Sequence, residues 1–131
     1  MKYMLLVYND AELLETLPPG REDAMMRECL AHADDLRQEG RLLDSQMLEP
    51  VATAKTVRVR GGRATAVDGP FSEAKEVLGG FNLIEAESLE EAVRIAAEFP
   101  WAETGCIEVR PVREIAAVRR RVGAGGAGVT A

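Results

Sequence analysis

Between Thr56 and Arg60 valine and arginine alternate, Gly61-Gly62 follows, and from Arg63 to Val67 alanine alternates with polar residues. A period of two gives each strand one inward and one watered face, and a two-residue glycine turn closes such strands into an antiparallel hairpin. A hairpin in mid-chain constrains the rest, because the segments on either side each read as strand, helix, strand. On the N-terminal side, Lys2 to Tyr8 is an apolar run without strict alternation, bounded by Asn9-Asp10, and predicts a strand buried on both faces or nearly so. After Pro18-Pro19-Gly20 a helix is predicted from Arg21 to Glu39. Met25, Met26, Cys29, Leu30, Ala33 and Leu36 fall on one of its faces, and Gly40 stops it. A second strand spans Arg41 to Leu48. On the C-terminal side, Gly80 to Glu85 is a strand, and Ser88-Leu89-Glu90-Glu91 is a capping box. That box opens a helix to about Glu98 with Leu89, Ala92, Val93 and Ala96 inward. Ile107 to Arg110 is the last strand.

The order β-α-β, hairpin, β-α-β predicts an α+β fold of the ferredoxin-like kind. Two split βαβ units share one antiparallel sheet, with helices on one face. The uncovered face must then be polar or meet a second copy.

The two halves are joined by Val67-Asp68-Gly69-Pro70-Phe71-Ser72-Glu73-Ala74-Lys75-Glu76-Val77-Leu78-Gly79-Gly80-Phe81. Gly69-Pro70 forces an extended turn, since proline fixes φ and lacks an N–H. Ser72 can cap a short helix through Leu78, with Gly79 ending it. This bend has two readings. In one it is a turn and no more. In the other, Asp68, Phe71, Glu73, Lys75 and Glu76 gather into a small polar pocket, with Asp68 as an acid–base group, Lys75 as its electrostatic partner, and the rest as binding residues.

These residues also carry a resemblance. Asp68-Gly69-Pro70-Phe71 with Glu73, Lys75-Glu76 and Gly79-Gly80 resembles the DGPF family, the YCII-related domain proteins of bacteria. Met1 to Tyr8, Glu39-Gly40-Arg41-Leu42-Leu43 and Ile107 to Val112 resemble it too. The similarity covers residues 1–112, leaving 113–131 as a basic, Gly/Ala-rich tail. It implies a homodimer with apposed sheets, in the manner of a dimeric α/β barrel. It also implies a place beside regulatory sigma factors, by association. Some YCII-type relatives resemble enzymes that act on chlorinated or hydroxylated aromatics through a histidine–aspartate pair in the first helix. Alignment on Glu39 to Leu43 puts that histidine nearer Cys29 than His32.

His32 is the only histidine, with Glu28 four residues before it and Asp35 three after. It reads either as a boundary residue of the apolar stripe or as a catalytic histidine with tuned proton affinity. One histidine and two distant cysteines do not make a zinc site, and no metal or cofactor is expected. Ser45 lacks a matching histidine–aspartate set for nucleophilic hydrolysis.

The overall net charge of −6 argues against direct nucleic-acid or anionic-membrane binding. Four arginines against one glutamate after residue 112 concentrate the acidic excess in the domain itself. Gly123-Ala124-Gly125-Gly126-Ala127-Gly128 spells a dinucleotide fingerprint, yet with three residues after it there is no helix to hold a phosphate. With no signal or membrane segment, Cys29 and Cys106 are expected as reduced thiols in a cytoplasmic protein. Two functional classes follow. One is a dimeric small-molecule-binding or accessory protein, and the other a small-molecule enzyme doing acid–base chemistry, such as tautomerisation or dehydrochlorination, at Asp68.

Overall fold

The computed structural model describes residues 1–125. Strand β1 (Lys2–Asp10) lies inside a four-stranded antiparallel sheet with β2 (Leu42–Met47), β5 (Glu76–Glu85) and β6 (Gly105–Pro111), in the order β2-β5-β1-β6. Helix α2 (Arg21–Gln38) connects β1 to β2, and α3 (Leu89–Ala97) connects β5 to β6. The result is two interleaved split βαβ units, the mixed α+β plan that the element order predicts.

The sheet's inner face explains where the core sits. Tyr3 and Leu5 of β1, with Ile84 of β5, pack against Cys29, Ala33 and Leu36 of α2 and Ala92, Ile95 and Ala96 of α3. Leu5 and Ile84 are completely buried. Their alternate neighbours Met4, Leu6, Tyr8, Phe81 and Leu83 are only partly buried. Strand β1 is therefore sealed on one face and half-sealed on the other. On α3, Ile95 takes the inward place expected of Leu89 and Val93, which are 45% and 49% exposed. Ser88 does cap this helix, its side chain accepting from the Glu91 N–H at 3.1 Å.

The hairpin of β3 (Lys55–Arg60) and β4 (Arg63–Asp68) forms in the expected register, but as a separate two-stranded sheet with almost every residue exposed. The helix expected from Ser72 to Leu78 is absent. Residues 71–75 are irregular, and β5 begins at Glu76. An isolated seven-residue helix is marginal, whereas extended Val77 and Leu78 pair with Asn9 and Tyr8 of β1. Two further short helices lie outside the elements set out above. Helix α1 (Ala11–Glu15) is capped by Asp10, whose Oδ1 accepts from the Glu12 N–H at 2.9 Å. Helix α4 (Ile115–Val122) carries the basic tail's arginines and ends at Gly123, φ +72°. The later part of the tail's glycine motif, from Gly126, lies outside the described residues. No described helix is long and apolar enough to cross a membrane.

Candidate functional site

Where α2 passes over β2, β5 and the C-terminal end of β1, the structure leaves a cavity of about 470 Å³. Helix α2 supplies Met26, Cys29, Leu30 and Ala33 to its wall, with Glu22 from the first turn. The sheet supplies Val7, Asn9, Ser45, Met47, Gly80 and Asn82. The segment Leu48 to Val51 and the aromatic pair Phe99 and Trp101 complete it. The volume lies in the range of sites that take small organic molecules, and such sites are mostly apolar with a few placed polar groups.

The polar groups follow from strand geometry. Asn82 sits opposite Ser45 in the β5–β2 register, so both side chains leave on the inner face. Ser45 Oγ donates to Asn82 Oδ1 at 2.6 Å. The β1–β5 register slips between Val7 and Tyr8, beside the Gly79-Gly80 pair. The extra residue there is Gly79 of β5, and Asn9 reaches the cavity wall by following Leu5 and Val7 on the inner face of β1. Asn9 Oδ1 is buried and has no hydrogen-bond partner among the described residues. A buried acceptor left unpaired costs roughly 1–3 kcal/mol. Gly80 is needed where it stands, because a Cβ there would lie 2.6 Å from the Gln46 carbonyl oxygen of β2.

Cys29 lines the same cavity. Burial pushes its thiol up to about 11, against a backbone hydrogen bond from Trp101 that favours the thiolate, and Glu28 adds to the rise. Thiolate is therefore scarce near neutrality, and the residue behaves as a small apolar wall group.

The residues singled out in the sequence fall elsewhere, in three places. Asp68, at the end of β4, is exposed and ion-paired with Lys55 across the hairpin. Phe71 is 78% exposed, and Glu73 is exposed in the connection after it. Lys75 turns away from this group. Its Nζ lies 3.7 Å from Asp10 Oδ2 and 3.9 Å from Glu12 Oε2, anchoring the connection to the start of α1. Glu76 opens β5 opposite Asp10 and hydrogen-bonds the Cys106 thiol, which that bond and burial push up to about 11. His32 stands on the far side of α2, toward α3. Its Nε2 is 3.1 Å from the Ile95 carbonyl oxygen and 3.5 Å from Glu98 Oε2, and its ring meets Phe99 edge-on at 4.3 Å. A carbonyl only accepts, so Nε2 carries the proton there and ties α2 to α3. None of these six residues lines the cavity.

The cavity's own polar residues carry only a weak sequence signal. Asn82 interrupts apolar neighbours at an inward strand position, and Ser45 is its cross-strand partner. Glu22 and Trp101 carry none. Among the described residues no cluster of three or more histidine, cysteine or acidic side chains could hold a metal ion.

Comparison with known proteins places most of the chain in one family. The YCII-related domain model matches residues 1–116. An uncharacterised protein of Rhizobium meliloti (strain 1021) is 36% identical over 114 residues, covering 86% of this chain and 92% of that protein. Among solved structures, 5-chloro-2-hydroxyhydroquinone dehydrochlorinase from Burkholderia phenoliruptrix AC1100, in complex with 2,5-dihydroxybenzoquinone, aligns with a TM-score of 0.43 and 16% identity. The alignment covers 87% of this chain and 95% of that one.

Proposed function

The chain belongs to the YCII-related domain family, and on that footing we propose that it is a homodimeric small-molecule-binding protein whose ligand enters the cavity between α2 and the sheet. One observation carries the reading. A largely apolar cavity of about 470 Å³ lies between α2 and the sheet, with Ser45, Asn82 and Trp101 in its wall. A concave, mostly apolar site of that size with a few placed polar groups is of the kind small organic ligands occupy. A binding or accessory role asks nothing more of the site. The alternative, an enzyme using Asp68, finds less support, because that carboxylate is exposed and held by Lys55 rather than placed in a pocket.

Trp101 is the only tryptophan and lines the cavity, so its fluorescence reports occupancy. A small-molecule screen read at Trp101 should yield ligands. Leu30→Asp, at a half-exposed position of the α2 wall, should fold as the parent does and bind those ligands at least tenfold more weakly, the loss expected when an apolar contact worth about 1.5–3 kcal/mol is replaced by a charge. Asp68→Asn should bind them as the parent does. Unaltered affinity in Leu30→Asp, or loss of binding or turnover in Asp68→Asn, would overturn the cavity reading in favour of the bend.

The dimer rests on the sheet's second face, where Met4, Leu6, Tyr8, Phe81 and Leu83 are only partly buried. Two such faces in apposition would bury on the order of 1,600 Å² in a standard interface. Sedimentation at micromolar concentration should show twice the 14.2 kDa chain mass, and Leu6→Glu should shift it toward the monomer. A parent protein that sediments only as monomer would exclude this assembly.

A further inference from the structure

The registers of the three strand pairs align the outer face of the sheet into rows that cross all four strands. Asp44 of β2 stands opposite Leu83 of β5, Leu83 opposite Met4 of β1, and Met4 opposite Arg110 of β6. The next outward row runs Gln46, Phe81, Leu6, Glu108 by the same pairings. Side chains alternate along a strand, and the intervening Leu5, Ile84 and Val109 pack inward with α2 and α3, so both rows face away from the helices. Each row is apolar at its centre and polar or charged at its ends. In the first row the ends have opposite sign. Asp44 is exposed on one edge strand and Arg110 on the other, and neither forms an ion pair with a described residue. Three inter-strand spacings, about 14 Å, keep the two side chains from meeting within one chain. Asp44 Oδ1 accepts from the Ser45 N–H at 2.8 Å and the Gln46 amide at 3.2 Å, which places the carboxylate but leaves its charge unmatched by a described residue.

A face with an acid on one edge and a base level with it on the other is complementary to itself. A two-fold axis running along the strands, between β5 and β1, lays β2 of one copy over β6 of the other and keeps every row over itself. Asp44 then meets Arg110 of the second copy, twice by symmetry, and Gln46 meets Glu108. The apolar centres close on one another, and Lys2 and Glu85, paired in the row beyond, face each other acid to base. Turned end for end, β6 would instead lie on β6. Arg110 would then face its own counterpart, or reach Glu108 only by a shift that sets the charged row of Lys2 and Glu85 on the row of Tyr8 and Leu78.

We propose that a second copy of the chain docks on this face about an axis parallel to the strands, held in register by two Asp44–Arg110 ion pairs between the copies. This rests on the homodimer inferred above and adds which edge meets which. The pairs sit at the rim, where charge fixes register and excludes wrong partners more than it adds affinity.

Sedimentation of the full chain at micromolar concentration tests it, with Asp44→Arg and Arg110→Glu alone, mixed in equal amounts, and combined in one chain. Both positions are exposed on edge strands, and far-UV circular dichroism checks that each variant keeps the parent's fold. Each single variant places two like-charged contacts in its own dimer and should dimerise at least roughly tenfold more weakly than the parent. Mixed, the two should regain dimers, because across that interface one contact sets arginine against glutamate and the other aspartate against arginine. The double variant should dimerise within about threefold of the parent, its charges exchanged but still opposed. Single variants that dimerise as the parent does, or a mixture that stays monomeric, would overturn the pairing while the dimer stands. Loss of the dimer in Arg110→Glu alone, unrestored by Asp44→Arg, would place β6 on β6 and overturn it equally. A parent chain that sediments only as monomer would remove the dimer and this pairing with it.

Discussion

Gly105→Ala should be among the most damaging single substitutions in this chain, lowering stability by about 3 kcal/mol, at the upper end for overpacking a close-packed site. Gly105 opens β6 opposite Asn9. A Cβ added there would overlap the Tyr8 carbonyl oxygen, and would stand 2.8 Å from the Tyr8 carbonyl carbon and 3.1 Å from Asn9 Cα. All three are backbone atoms of β1, so no side-chain rotation relieves the overlap. Strand β1 cannot retreat, because β5 holds its other edge, and Asp10 N–H donates to the Thr104 carbonyl just beside the contact, at 2.9 Å. For a domain of this size the expected loss corresponds to a fall in Tm of about 10–15 °C. Gly125→Ala is the control, since nothing lies within 4 Å of its added carbon, and it should be silent. Thermal unfolding of both variants by circular dichroism checks this. A Gly105→Ala protein within 1 kcal/mol of the parent would mean that β6 pairs with β1 in another way.

The second large effect is expected at Leu5. It is wholly buried at the centre of β1, among residues from α2, α3 and β5. Leu5→Ala should cost about 3 kcal/mol, through lost burial and through a void that tightly packed neighbours cannot close. Val59→Ala, on the free hairpin at 58% exposure, should cost under about 0.5 kcal/mol, as surface changes do. Urea unfolding gives both values. Comparable losses at the two positions would show that the hairpin is buried against another copy of the chain.

The contrast between these two valine- and leucine-bearing strands shows what the local pattern carries. Alternation at Thr56 to Val67 determined a hairpin and its register without regard to surroundings, because pairing across Gly61-Gly62 is a near-neighbour matter. Serine capping at Ser88, four of the six stripe positions of α2 (Met25, Cys29, Ala33 and Leu36, with Met26 only half-buried and Leu30 exposed), and the β-α-β order on both sides were equally local. So were the resemblance over the first 112 residues and the family it named. What the chain alone did not determine is whatever depends on a partner far away in sequence. Val77 and Leu78 carry a helical pattern after Ser72, and become strand because β1, seventy residues earlier, offers unpaired backbone to complete.

The candidate site divides along the same line. Asp68, Lys75 and Glu76 lie within nine residues, and their spacing brings together an acid, a base and a second acid on paper. In the fold, Asp68 stays with the hairpin and Lys55, while Lys75 goes with β5 to Asp10. Each ion pair is decided by which strand the residue joins. The cavity has the opposite character. Asn9, Glu22, Ser45, Asn82 and Trp101 are scattered over ninety residues, and nothing local connects them. Only the register of three strands and the passage of α2 over them bring these side chains to one wall. The sequence by itself determined most of the elements, their order and the inward face of most of them, because those depend on periodicity, caps and turns. The tertiary structure alone decided the pocket, because a concave surface exists only between elements that long-range packing has already placed.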